Sequence, residues 1–520
     1  MKKITYLMLA VTVFAAMSCK KFLQEDPQSF VSEDAYYKTQ ADAITAINAA
    51  YFFLNSGGSA EQTPYNTLFS TGMDMASDDV NPGPGATNPD VRSLSVLQHA
   101  SSNLRVYEIW QQHYAAIKKT NMVLAKVPAI PMDAALKSRI LGEAKFLRAL
   151  YYFNLVRLYG DVPLVISINE VVTAASYAVA RTPSTQVYQQ IVQDLTDASG
   201  VLPNSYGGTD VGRATKGAAL AILAKVYLAQ ASLPLRITEH YQDAINTALQ
   251  ALSPGDGGTG SFGYGLFSNY AQVFLPANKN GIEHIFSAQF KSNSQGQGNN
   301  QNPRSILNGV PGLVGNYAEQ VVFYPYNGDN FFSVYKLYKS NDKRRNATFV
   351  RSYTSPTNSK KYALPIPNPA VVKDSTPFFN KWWDPNSTAL TSESAANVPI
   401  IRYSELLLIY AEALNEAGQT GTAYTPLNTV RARAGLAPLT TGLSQSEFRD
   451  SLYLDRRLEL VFEYQRWFDL IRQFDAGGNS TFVQNLHTAG KNSASDKNRL
   501  YPIPLAEIQI NPLATQNPGW

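Results

Sequence analysis

The chain has 520 residues, with Lys+Arg 44 against Asp+Glu 40 and a formal net charge of +4. Hydrophobic residues make up 44%, which excludes wholesale disorder, and charged residues only 16%, below the roughly 25% of an average domain. The positive residues are scattered rather than gathered into a basic stripe, which argues against a nucleic-acid binder, and a near-neutral surface with 30 Tyr, 24 Phe and 5 Trp suits uncharged polar ligands better than phosphates. One cysteine, Cys19, leaves no internal disulfide and no Cys-based zinc site.

The N-terminus reads as an address. Lys2 and Lys3 precede an apolar stretch from Ile4 to Met17 that is too short to span a bilayer and ends Ala15-Ala16-Met17-Ser18-Cys19. A small residue directly before the lone Cys looks like a bacterial lipobox. Residues 1–18 are then a lipoprotein signal peptide, Cys19 the lipidated residue and 19–30 a lipid-anchored tether; the alternative is an ordinary signal peptide and a released protein.

Along the chain, Ser32 to Leu54 is expected to be helical, with Ile44, Ile47, Tyr51 and Leu54 at helical spacing. Gly57 to about Leu104 is expected to be irregular, broken by Asn81-Pro82-Gly83-Pro84-Gly85. Helical periods follow at Val106–Val127, Leu136–Tyr159, Gln186–Leu202, Lys216–Ser232 and Tyr241–Leu252. From 253 to 397 glycine, asparagine, proline and aromatic residues replace any long helical period, so this segment is expected to be an irregular insertion of loops and short strands. Helices resume at Arg402–Ala417, Tyr424–Ala434, Ser446–Phe462 and Tyr464–Phe474, and the tail after Gly477 is expected to be loop-rich. Mid-helix alanines with bulky partners three or four residues away, in Lys216–Ser232 and Arg402–Ala417, suit stacked helix pairs of the tetratricopeptide kind.

The chemical motifs are weak. Gly255 to Gly260 spells G-x-G-x-x-G but follows a helix and Pro254, so a flexible glycine loop is expected rather than a dinucleotide turn. His99, His113, His240, His284 and His487 show no zinc-helix spacing, and neither a metal nor a cofactor is expected. Asp74, Asp78 and Asp79 form a carboxylate cluster in the first irregular stretch, open to loop hydrogen bonding, a hard cation or ligand hydroxyls. Arg148, Arg456, Arg457, Arg466 and Arg472 are expected to make helix-packing ion pairs with Glu143, Glu459, Glu463 and Asp469. Rings in the insertion have no clean period. Flat sugar faces stack on such rings while amides and carboxylates take hydroxyls, so the candidate ligand residues are Asp78, Asp79, Asn81, Tyr324, Tyr326, Trp382 and Trp383.

Several blocks resemble the SusD/RagB family of outer-membrane lipoproteins. They are Cys19 with Phe22-Leu23 and Asp26-Pro27; Glu143 to Phe153 continuing through Leu158-Tyr159-Gly160-Asp161-Val162-Pro163-Leu164; Asp342-Lys343-Arg344; Arg402 to Asn415; Val430 to Leu436; Arg456 to Arg472; and Tyr501-Pro502-Ile503-Pro504 with Gln516-Asn517-Pro518-Gly519. The resemblance runs nearly end to end. It implies a mostly α protein: a scaffold of tetratricopeptide-like helical pairs in an N-terminal part (31–252) and a C-terminal part (398–520), with the large irregular loop and short-strand insertion (253–397) facing the ligand. It also implies a non-enzymatic, surface-exposed lipoprotein of the cell outer membrane that captures an oligosaccharide or other nutrient and passes it to a SusC-like TonB-dependent transporter. The alternatives are a lipid-anchored hydrolase and a structural surface subunit. The Gly57–Leu104 stretch has no Trp, which argues against a copied maltooligosaccharide site.

Overall fold

Side-chain caps start the long helices where the sequence offers Asn, Asp or Thr. Asn103 accepts from the Arg105 and Val106 amides, Asp133 from Leu136 and Thr215 from Ala218. The structure, a computed structural model, describes residues 36–55, 63–82, 86–168, 178–292, 298–299, 334–350 and 394–520, with short pieces at 321–322, 352–354, 358–363, 378–382 and 384. The helices before the insertion are α1 (Gln40–Asn55), α2 (Phe69–Gly72), α3 (Pro89–Ser95), α4 (Leu104–Lys126), α5 (Ala134–Tyr159), α6 (Ser184–Val201), α7 (Lys216–Ala231) and α8 (His240–Ala251). Within the insertion lies α9 (Lys343–Thr348). After it come α10 (Tyr403–Glu416), α11 (Thr420–Arg433), α12 (Gln445–Leu460), α13 (Arg466–Arg472), α14 (Phe482–Thr488) and α15 (Leu505–Ile510).

Pairwise contacts show how the helices stack. Tyr159 meets Val106 and Arg148 meets Asn121, so α4 and α5 run antiparallel. Likewise α5 and α6 are joined by Lys145–Asp197, Arg148–Asp194 and Phe153–Tyr188. Farther along, Glu405–Arg456 and Glu416–Arg449 set α10 antiparallel to α12. Small residues on α7 (Gly217, Ala218, Ala219, Ala221 and Ala224) are buried and let neighbours approach closely.

Part of the stretch expected to be an irregular loop, Thr63 to Val80, is mostly helical turn and buried. Every residue from Thr63 to Val80 is buried, across a five-residue π-turn (Pro64–Leu68), α2 and a 3-10 turn (Asp74–Ala76). Its short, irregular turns carry no 3.6-residue stripe, which is why periodicity misses them. The helices expected to end at Phe462 and begin at Tyr464 are separated by a turn in which both residues have positive φ (60° and 62°). The tail holds two short helices, α14 and α15, that are too brief to show a period.

Strands among the described residues form short antiparallel ladders. β1 (Asn81–Pro82) pairs with β3 (Val321–Val322), and β2 (His284–Ala288) with β8 (Val398–Arg402). β4 (Phe349–Val350) pairs with β7 (Phe378–Phe379), and β5 (Ser352–Thr354) with β6 (Lys361–Ala363). The β2–β8 ladder is buried along both strands and ties residues 284–288 to the chain entering α10. Among the described residues no helix is long and apolar enough to cross a membrane.

Candidate functional site: the root of two inserted segments

The two segments that carry the candidate ligand residues meet. Asn81 pairs with Val322 and Pro82 with Val321, so the N-terminal insert and the large insertion share one ladder. Asn81 is partly buried there. Tyr324, Tyr326 and Trp383 lie outside the described residues, as does Cys19.

The sequence reading puts Asp78, Asp79 and Trp382 on a ligand surface, but the structure buries all three. Asp78 is 1% exposed and takes both arms of Arg466, each at 2.7 Å, and Arg457 at 3.0 Å. Burial pushes this carboxyl up, but Arg457 and Arg466 outweigh it and bring it down to about 2. Asp79 faces Arg457 at 2.7 Å, yet burial leaves it above the ordinary carboxylate range. These carboxylates fold inward because two arginines of the C-terminal part demand counter-charges. Lys491 fastens the same insert from another side, donating to the carbonyls of Met75 (2.6 Å), Ser95 (2.9 Å) and Val80 (3.3 Å). Burial pulls its ammonium down to about 7 against the attraction of Asp78 and Asp79.

Trp382 is 1% exposed. Its Nε1 donates to the Phe462 carbonyl at 3.1 Å, and its ring meets Phe274 edge-on at 5.4 Å. A buried indole needs such an acceptor, and the left-handed turn at Phe462 supplies it. The same turn aims the Phe462 ring onto Phe379 (centroids 4.1 Å, 12° apart), which in turn stacks on Phe349 at 5.3 Å. This ring column ties the insertion to the scaffold. Phe349 and Phe379 sit in two-residue strands with no alternation to mark them, so only the aromatic content of the segment could have drawn attention to them.

Around the column lies a buried ion network. Arg402 reaches Glu459 (2.6 Å), Glu463 (2.7 Å) and Glu283 (2.8 Å). Arg433 holds Glu283 at 3.0 Å and also Glu459. Arg344 takes Asp342 (2.8 Å), Asp455 (3.0 Å) and Glu459 (3.3 Å), while Arg431 takes Asp455. Lys381 donates to Glu463 at 2.8 Å and to the Val461 carbonyl at 2.6 Å. Burial opposes the charge on Glu459, yet Arg433, Arg402 and Arg344 hold it well below the usual range. Among the described residues the cations 344, 381, 402, 431 and 433 face the carboxylates 283, 342, 455, 459 and 463, five against five.

The expectation that these arginines serve packing holds, with Asp469 a partner as expected and the other partners different. Arg148 pairs with Asp194 rather than Glu143, Arg456 with Glu405 and Asp469, and Arg472 with Glu412 and Asp469. Glu143 goes to Arg139 and Arg213. The glycine stretch at 255–260 is an ordered helix end rather than a flexible loop. The amides of Gly258 and Gly260 donate to Ser253 and Leu252, and a Cβ at Gly258 would lie 2.1 Å from the Leu252 carbonyl oxygen. Among the described residues no group of three or more His, Cys, Asp or Glu could hold a metal ion.

Comparison with known proteins agrees with this arrangement. Residues 242–520 match the model of the SusD family, and residues 21–228 match a model described as starch-binding, associating with the outer membrane. The first match alone spans more than half the chain, which therefore belongs to the SusD family. A SusD-like protein of Formosa agariphila is 27% identical over 538 residues, covering 97% of this chain and 96% of its own. A solved SusD superfamily protein from Parabacteroides distasonis is 26% identical with a TM-score of 0.76, covering 92% of this chain and 99% of its own. A laminarin-binding SusD-like protein is 27% identical with a TM-score of 0.74, covering 93% of this chain and 100% of its own. The mostly helical fold expected from the sequence is the fold of this superfamily.

Proposed function

We propose that this chain is a cell-surface, lipid-anchored binding protein that captures a glycan and hands it to a SusC-like TonB-dependent transporter in the outer membrane. The observation that carries this reading is the full-length likeness to a laminarin-binding SusD-like protein. The meeting of the two inserts at β1–β3 supports it, because Asn81 pairs with Val322, next in sequence to the rings Phe323, Tyr324 and Tyr326. In this reading residues 1–18 are the signal peptide, Cys19 carries the lipid, and Tyr324, Tyr326 and Trp383 form the platform with Asn81 at its rim. Asp78, Asp79 and Trp382 form its foundation. With those carboxylates engaged by arginine, binding without turnover is the favoured chemistry.

Calorimetry with laminarin and a panel of neutral oligosaccharides, with product analysis of the same samples, tests both halves. The expected result is a micromolar-to-millimolar Kd and no released fragments. Alanine at Tyr324, Tyr326 or Trp383 is expected to weaken binding by about 1–3 kcal/mol without changing helix content. Fragment release, or full affinity in all three variants, overturns the corresponding half. Extraction in mild detergent should recover a large β-barrel protein with the chain, and Cys19→Ala should free it from the membrane fraction.

A further inference from the structure

Buried charge does not balance where α5, α7, α10, α12 and α13 converge. Lys225 and Arg456 share Glu405 at 2.9 and 2.8 Å, Arg456 and Arg472 share Asp469 at 2.9 and 2.8 Å, and Arg472 also holds Glu412. Arg157 makes a fourth cation. Its Nε donates to the Phe153 carbonyl at 3.0 Å and its Nη2 to Asn154 Oδ1 at 2.7 Å, and it makes no ion pair among the described residues. Its guanidinium lies between the rings of Phe153 (3.7 Å) and Phe468 (3.5 Å). Among the described residues the cations 157, 225, 456 and 472 thus face the carboxylates 405, 412 and 469, four against three, whereas the described pairs of the insertion root balance.

Two small cavities flank Arg157. One, of about 10 Å³, is bounded by Tyr65, Asn154, Lys225 and Gln465. The other, of about 20 Å³, is bounded by Arg157, Lys225, Arg456, Arg472 and Gln465, with one carboxylate, Asp469, also in its wall. Arg456 is 2% exposed, and its Nη1 has no hydrogen-bond partner. A space of this size holds a single water-sized particle, which excludes phosphate, sulfate, carboxylates and sugars. Water could accept the orphaned N–H but would leave the surplus charge uncompensated in a low-dielectric interior, where it is costly.

We propose that the larger cavity is a halide site, holding one chloride against Arg456 Nη1 and the Arg157 guanidinium. The ion neutralises the cluster and accepts the unmatched donor in one step. Burial pulls Arg157 down to about 10 and Lys225 to about 8, against the attraction of Glu405 on both.

Two measurements on the intact protein decide it. Crystals soaked in sodium bromide should show an anomalous peak in the cavity beside Arg157 and Arg456. In solution, Tm should be about 1–3 °C higher in sodium chloride than in sodium gluconate at equal ionic strength. Arg157→Met, which keeps an apolar stem between the two rings, should abolish that difference. A cavity without an anomalous peak in the unaltered protein overturns the proposal, whether or not the variant folds. So does a chloride effect of the same size in Arg157→Met.

Discussion

In the scaffold, α4 to α8 pack through Leu, Ala and ring side chains at helical spacing, and a pair such as Lys145–Asp197 sits at a half-exposed margin. At the insertion root the proportions reverse: short strands and turns with little periodic apolar surface are gripped by arginines and carboxylates that are almost wholly buried. The difference teaches where each kind of force is useful. Helices bring long apolar stripes and need only to be stacked, whereas irregular chain offers scattered contacts and is fixed in place by directional, bidentate pairs. Such pairs contribute little net stability over an apolar alternative but punish the loss of one partner.

That contrast can be broken at single residues. Arg402→Met leaves Glu283, Glu459 and Glu463 short of a cation, and a loss of about 3–5 kcal/mol is expected in urea unfolding. Leu155→Ala, at a fully buried scaffold position, should cost about 2–5 kcal/mol by opening a cavity, with the insertion's near-UV signal retained until global unfolding. Acid should separate the regions more gently. Asp78 and Asp469 are held at about 2, below the roughly 3.9 of an unfolded chain, so the unfolded state binds more protons between those values. The stability they contribute is complete above about pH 4 and is lost as pH falls toward 2. Proteolysis across that range should cut the inserts before α4 to α8. Thr215→Ala removes only a helix cap in the scaffold, and a loss of about 1 kcal/mol is expected in the same urea assay.

The scaffold was legible because Leu147, Leu150, Leu155 and Leu158 repeat with the helix and Gly160 ends it, and both are local facts. The existence of ion pairs was legible too, since Arg456 and Arg466 lie in a segment that also carries Glu459, Glu463 and Asp469 among apolar and aromatic residues. Their pairing was not. Arg466 binds an aspartate 388 positions away, and no spacing rule reaches that far. The same ambiguity hid the fate of the candidate site: a carboxylate cluster in a loop looks alike whether it greets a hydroxyl or a guanidinium. Trp382 and Trp383 are neighbours in sequence, yet the indole of the first is spoken for by a backbone carbonyl, which only the turn at Phe462 reveals.

The grip of Lys491 on Met75, Val80 and Ser95 has a consequence for how the protein comes into being. A chain that emerges from its N-terminus first exposes Thr63 to Val80 about four hundred residues before the lysine that covers their carbonyls is made. Tyr501 then lies against Gly72 and Leu158, and Asn517 against Tyr159 and Tyr501, so the closing stretch stitches down segments that have long been waiting. Assembly ordered in this way leaves the early insert as a late-sealing seam. Until Lys491 and Tyr501 have been made, that seam has neither of the contacts that close it.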